Sequence, residues 1–288
     1  MPKNTKTKQS NQEIPKFIIY TSKVFSLISP KLATWFAAKL FTTPIRHKLP
    51  KREIVMDQKS VQHSFMVKSI QKEIVVYEYG KSDRKILLVH GWSGRGTQLV
   101  KIADELLKNG FMTISFDAPS HGKSKGSSTI MTEFIASILE IEKQYGPFEY
   151  AIGHSLGGMS ILNAISQHLK IKKAVVIGSG DIIQDIIDDF IKKLSLQPKY
   201  GILLKNYFEQ KFVGNMDDYS AYKAAKNVKN PVLIIHDEDD EDVSVKAAYH
   251  IHQHLFGSEL MITKGLGHRK ILGSDAVIQR VKTFLDVE

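Results

Sequence analysis

The apolar positions along the chain change their period several times, and each change marks an element. Ile86-Leu87-Leu88-Val89, within Lys85–His90, is an unbroken apolar run, as in a strand buried on both faces. Similar runs recur at Phe111–Asp117, just before Gly153, at Lys173–Gly178, at Pro231–His236 and at Glu259–Thr263. Between them apolar residues return every three or four positions. This spacing predicts helices near Gln98–Lys108, Met131–Gln144, after Leu156, Val245–Phe256 and Asp275–Phe284. Strands alternating with helices of this length imply an α/β fold, with a mostly parallel central sheet and helices on both faces. Residues 53–79 alternate in places instead (Ile54, Met56; Ile74, Val76, Tyr77, Tyr79), which predicts antiparallel edge strands.

Two stretches break the rhythm. Residues 180–228 are too long for a plain connection and carry Ile182, Ile183, Ile186, Ile187, Phe190, Ile191, Leu194, Tyr207, Phe208 and Phe212. They read as a short helical cap inserted above the site. Near the N-terminus, Ile14, Phe17, Ile18, Val24, Phe25 and Ile28 fall roughly on one helical face. Ser29-Pro30 then starts a second helix with Leu32, Trp35, Phe36 and Leu40 on its stripe. Lys23, Lys31 and Lys39 interrupt the segment, so no run of about 18 uncharged apolar residues exists to span a bilayer. It is also too broken for a signal peptide. The expected organisation is a disordered basic tail over 1–13, a basic amphipathic helical extension over 14–52, and an α/β domain over 53–288.

Charge sharpens the picture of that extension. The chain of 288 residues has a formal net charge of +10. Residues 1–52 hold eleven Lys/Arg against Glu13 alone, and the remaining 29 bases and 29 acids cancel. The two helices are expected to pack on the body, roofing the pocket; a basic amphipathic pair also suits an anionic membrane surface. An apolar, aromatic-containing stripe with no nucleic-acid fold motif points away from nucleic acid. With no cysteine there is no thiolate nucleophile, disulfide or thiolate-ligated metal, which fits the cytoplasm.

The chemistry concentrates at strand ends. Gly153-His154-Ser155-Leu156-Gly157 lies where a buried strand turns sharply into a helix, so Ser155 is exposed as a nucleophile and the Leu156 N–H is left free to bind an oxyanion. In His90-Gly91-Trp92-Ser93-Gly94-Arg95-Gly96 the Trp92 N–H is the second expected donor. His236–Val243 is rich in carboxylates, and Gly265-Leu266-Gly267-His268-Arg269 supplies a histidine. Serine is a poor nucleophile at neutral pH, so His268 is expected to take its proton and a buried carboxylate to orient the imidazole. Arg95 and Arg269 either grip an anionic substrate group or balance the acidic loop. His250 and His254, at i and i+4, lack a third zinc ligand and read as a surface pair. No calcium loop is present. Asp117 and His121 read as structural, and His90 and His154 as residues packed near the serine.

Over roughly residues 70–288 the chain resembles the serine-nucleophile α/β-hydrolase superfamily. Within it, His90-Gly91-Trp92, Gly94-Arg95, Gln98, Asp117-Ala118-Pro119-Ser120-His121-Gly122 and Gly265-Leu266-Gly267-His268-Arg269-Lys270-Ile271-Leu272 look like a bacterial subgroup of generic hydrolases. Leu40-Phe41-Thr42-Thr43-Pro44-Ile45-Arg46 resembles that subgroup's N-terminal extension. The resemblance implies the chain order serine, acid, histidine and hydrolysis of an ester, thioester or amide. Its His-Gly-x-x-Asp-x-x-Val spacing, laid on His236–Val243, selects Asp240 and puts Asp237 where glycine is usual. The other acids of that loop read as solvated and mutually repelling. The expectation is a serine hydrolase without metal or cofactor, acting on a small acyl ester or thioester. Its rivals are a lipid-directed hydrolase held on a membrane by residues 14–52 and a non-catalytic binding protein of the same fold.

Overall fold

In the computed structural model, which describes residues 14–212 and 214–286, the first two elements are helices α1 (Lys16–Ile28) and α2 (Pro30–Phe41), separated by Ser29 alone. The expected tail over 1–13 lies outside the described residues. An extended strap, residues 44–50, leads to a 3-10 turn at Lys51–Glu53 and helix α3 (Ile54–Lys59). This corrects the expectation of a strand at Ile54 and Met56: the turn and helix bury Glu53 and Met56, so the alternation there belonged to a short helix.

The sheet has eight strands: β1 (Val61–Val67), β2 (Lys72–Tyr79), β3 (Lys85–Val89), β4 (Met112–Asp117), β5 (Tyr150–His154), β6 (Lys173–Ile177), β7 (Val232–Asp237) and β8 (Glu259–Thr263). Their spatial order is β1-β2-β4-β3-β5-β6-β7-β8. β1 and β2 pair antiparallel, as does β2 with β4; every other pairing is parallel. Between β3 and β6 run α4 (Val100–Lys108), α5 (Met131–Tyr145) and α6 (Leu156–Ser166). The long connection from β6 to β7 folds as α7 (Ile183–Lys193), α8 (Lys199–Phe212), a 3-10 turn (Met216–Tyr219) and α9 (Ala221–Ala225). The chain ends with α10 (Lys246–His254), α11 (Gly267–Lys270) and α12 (Asp275–Leu285).

Alternation along each buried strand feeds two cores. Leu87, Val89, Ala151, Val176 and Ile234 face one core, which includes residues of α2, α5, α6, α7 and α8. Ile86, Leu88, Ile152, Ile177 and Leu233 face the other, with residues of α4 and α12. Burial on both faces is why these strands read as continuous apolar runs. The parallel strands all end on one side, so the loops after β3, β4, β5, β7 and β8 meet there.

The N-terminal hairpin is seated in the first core by Ala33, Ala37 and Ala38 of α2. Phe41 packs on Phe190 of α7 and Phe208 of α8 at 5.1 and 5.6 Å between ring centroids. The first helix does not follow the expected face. Ile18 and Phe25 pack against the core and Ser22 is buried, while Phe17 and Ile28 point outward.

Candidate active site

Ser155 sits between the end of β5 and the first residue of α6, with φ 54° and ψ −121°. A non-glycine residue in that region is strained and is held only where its surroundings over-determine it. Here the Ser155 amide donates to the Ile177 carbonyl of β6 at 2.9 Å. A side-chain carbon at Gly153 would lie 2.5 Å from the Gly157 carbonyl oxygen, and one at Gly157 would collide with the Val89 carbonyl oxygen. Both glycines are there because backbone passes backbone. Leu156 is the first residue of α6, so its N–H has no intrahelical acceptor.

The loop after β3 lies against this turn: a side-chain carbon at Gly91 would come 2.9 Å from Ser155 Cβ. The Gly94 amide donates to the Gly91 carbonyl at 3.0 Å, closing a turn whose second residue is Trp92. Two buried neutral histidines tie this loop to the one after β4. His121 Nε2 accepts from the Ser93 amide and His90 Nε2 from the Ala118 amide, each at 3.0 Å. Burial pushes His121 down to about 4 and His90 well below its ordinary value. Both roles need an unprotonated Nε2, and desolvation keeps it so. Asp117, also fully buried, accepts from Gly96 N, Lys123 N and Tyr77 OH at 2.6, 2.7 and 2.8 Å.

The Asp240 and His268 side chains meet. His268 Nδ1 lies 2.7 Å from Asp240 Oδ2, and the other carboxylate oxygen accepts from the Asp242 and Val243 amides, each at 2.9 Å. His236 Nε2 stands 3.3 Å from Asp240 Oδ2. Burial alone would raise the Asp240 pKa; the hydrogen bonds from His236, His268 and Val243 outweigh it and hold the carboxyl well below the usual range. Gly178, just past β6 with φ +58°, backs the pair: a side-chain carbon there would meet His268 Nδ1 at 3.3 Å and Asp240 Oδ2 at 3.5 Å. His154, next to Ser155, has its ring centroid 4.6 Å from that of His268, and its Nε2–H donates to the His268 carbonyl at 2.8 Å. Burial, then the neighbouring His268, depresses His154 to about 3. Asp240 and His268 thus meet against Gly178, and His154, the residue before Ser155, packs on His268.

Asp237 departs from the expected solvated loop. It is fully buried and accepts from Thr263 Oγ1, Gly267 N, Asp239 N and Leu266 N at 2.6, 2.8, 3.0 and 3.1 Å. The carboxylate that replaces the superfamily's usual glycine thereby clamps the turn that carries His268. Other acids here are also engaged: Asp239 Oδ2 accepts from the Gly265 amide at 3.0 Å, and Asp242 pairs with Arg269 at 3.1 Å. Arg95 is placed elsewhere, 13% exposed and 3.7 Å from the buried Glu53. His250 pairs with Asp181, and His254 Nδ1 with the His250 carbonyl at 2.9 Å. Among the described residues no group of three or more His, Cys, Asp or Glu side chains could hold a metal ion.

Sequence reasoning missed the strap. The Ile45 amide donates to Ser93 Oγ at 3.0 Å, within the turn that carries Trp92. The Arg46 guanidinium donates to the carbonyls of Ser120, Ser124 and Gly126 at 3.2, 2.6 and 3.2 Å. Pro44-Ile45-Arg46 carries no catalytic residue type, so only the resemblance pointed toward it.

Residues 85–209 match the family model described as the alpha/beta hydrolase fold, and residues 149–286 match that of the prolyl oligopeptidase family. The chain has the α/β-hydrolase fold. It is 24% identical over 232 residues to the (R)-3-hydroxydecanoyl-ACP:CoA transacylase of Pseudomonas putida, covering 67% of this chain and 78% of that one. Its fold is shared with an esterase of Pyrococcus furiosus (TM-score 0.65, 18% identity, 85% of this chain and 97% of that one). It is also shared with a bacterial membrane phospholipase A (TM-score 0.63, 15% identity, 94% and 98%).

Proposed function

We propose that this protein is a serine hydrolase that cleaves a small acyl ester or thioester through Ser155, His268 and Asp240. The observation that carries the reading is the Asp240–His268 hydrogen bond, 2.7 Å long and backed by Gly178, beside a strained serine between strand and helix. In this reading Ser155 Oγ attacks the acyl carbon as its proton passes to His268 Nε2. The Nδ1–H donates to Asp240, which fixes the tautomer and stabilises the imidazolium. The Trp92 and Leu156 amides hold the oxyanion of the tetrahedral intermediate, each worth about 3–4 kcal/mol. His268 then protonates the departing alcohol or thiol, and water, deprotonated by His268, releases the acid from the acyl-serine.

The Pseudomonas relative is named for acyl transfer between two thioesters, and that favours a second reading in which a thiol takes the acyl group in place of water. The decisive experiment is intact-mass labelling with a fluorophosphonate, followed by turnover of short acyl esters and thioesters with and without an added thiol acceptor. One adduct on the wild type is expected. It should be absent from Ser155→Ala, with turnover reduced by at least about 10⁴-fold. No adduct on folded wild type overturns the reading in favour of a non-catalytic binding protein.

A further inference from the structure

Helix α1 packs Ile18 and Phe25 on the core but leaves four other large apolar side chains outside. It buries Ser22, 1% exposed and bonded through its hydroxyl to the Ile18 carbonyl at 2.8 Å, and it presents large apolar side chains to the outside. Phe17 is 70% exposed, Tyr20 71%, Leu27 87% and Ile28 68%. At 100° per residue these four share one flank of the helix, with Lys16 and Lys23 along its edge. On α2 the alanine face packs into the core, and the outer ridge reads Lys31, Trp35, Lys39, with Lys39 Nζ 5.6 Å from the Trp35 ring centroid. Residues 14–41 contain four lysines and no acid. No ion pair engages those lysines among the described residues.

We infer that the α1–α2 hairpin docks this protein on an anionic lipid surface, with Phe17, Tyr20, Leu27 and Ile28 entering the acyl boundary and the lysines meeting headgroups. An apolar ridge of this size gains from leaving water, and lysines beside it gain from negative charge. A second copy would bring two such lysine sets together with no acid to offset them. A polyanion without an apolar phase would leave Leu27 and Ile28 in water. A lipid surface satisfies both halves of the hairpin at once. The helices lie on the membrane and do not cross it: none of the described helices is long and apolar enough to span.

The test is co-sedimentation of the full chain with vesicles of equimolar phosphatidylcholine and phosphatidylglycerol, and with vesicles of phosphatidylcholine alone. The wild type should pellet with the anionic vesicles, less so at about 0.5 M salt, where the Debye length is only a few ångströms. Phe17→Ser/Leu27→Ser/Ile28→Ser should weaken partitioning at least about tenfold. Lys→Gln changes at 16, 23, 31 and 39 should cost about fivefold each and remove the preference for negative charge. All the altered side chains are exposed, so the melting temperature and any turnover of a soluble ester should not move. A wild type that stays in the supernatant overturns the inference, as does an apolar triple variant that pellets as well as the wild type. A wild-type dimer that the triple variant dissolves would assign the face to self-association and overturn it too. Vesicle binding is read without any reaction, so it stands or falls separately from the hydrolase assignment.

Discussion

Gly178 is the residue whose side chain is most informative by being missing. At φ +58° any larger residue is strained, and an added methyl would crowd His268 Nδ1 while touching Asp240 Oδ2. Gly178→Ala should lower kcat roughly 10- to 100-fold, with KM changed far less, because a displacement of even 1 Å in a catalytic pair is costly. Asp237 tests the same pair from the other side. Asp237→Gly restores the superfamily's usual residue yet releases Gly267 N, Leu266 N and Thr263 Oγ1. Steady-state kinetics should show kcat falling at least about tenfold. In the sequence a strand-to-helix turn singles out Ser155 and a strand-end loop His268, whereas Asp240 is picked out among its neighbours only by the superfamily's spacing. Asp237 and Gly178 carry no such mark: one sits among five other carboxylates, the other ends a strand like any glycine, and only the fold aims them at His268.

Among the elements, the buried histidines that link the loops make the protein sensitive to acid. His121 at about 4, His154 at about 3 and His90 well below its ordinary value are all depressed from an unfolded value near 6.5. The unfolded chain therefore binds more protons between those values, so stability is full above about pH 6.5 and falls as pH drops toward 4 and then 3. Asp117, whose pKa burial raises, works in the opposite direction, though one carboxyl against three imidazoles does not cancel the trend. Urea unfolding at pH 7.5 and pH 5 should show a loss on the order of several kcal/mol. The strap makes a separate contribution. Arg46→Ala leaves three loop carbonyls without their charged donor and should cost about 1.5–3 kcal/mol, and Lys at this position should restore only part, since it lacks the planar fork. Periodicity located every strand of the parallel sheet, most plainly β3, β5, β6 and β7, where burial on both faces enforces a continuous run. It failed at Ile54 and Met56, and on the face of α1, because short or exposed helices are placed by tertiary contacts that one stretch of sequence does not encode.

For the molecule as a whole, the N-terminal segment is part of the architecture of the site. The hairpin rests on α7 and α8 through Phe41, and the strap reaches the turn of Trp92 through Ile45 and Ser93. Removing residues 1–46 should therefore lower activity as well as stability, an outcome visible in parallel melting and turnover measurements. The same arrangement sets an order in time. Phe41 is synthesised 167 residues before Phe208, its partner in the ring cluster. At typical elongation rates that interval lasts about 8–30 s. Throughout it Phe41 lacks its partner on α8, while the segment 14–41 that carries it holds four lysines and no acid. The hairpin is thus available to whatever first meets it at the ribosome, long before Ser155 has been made.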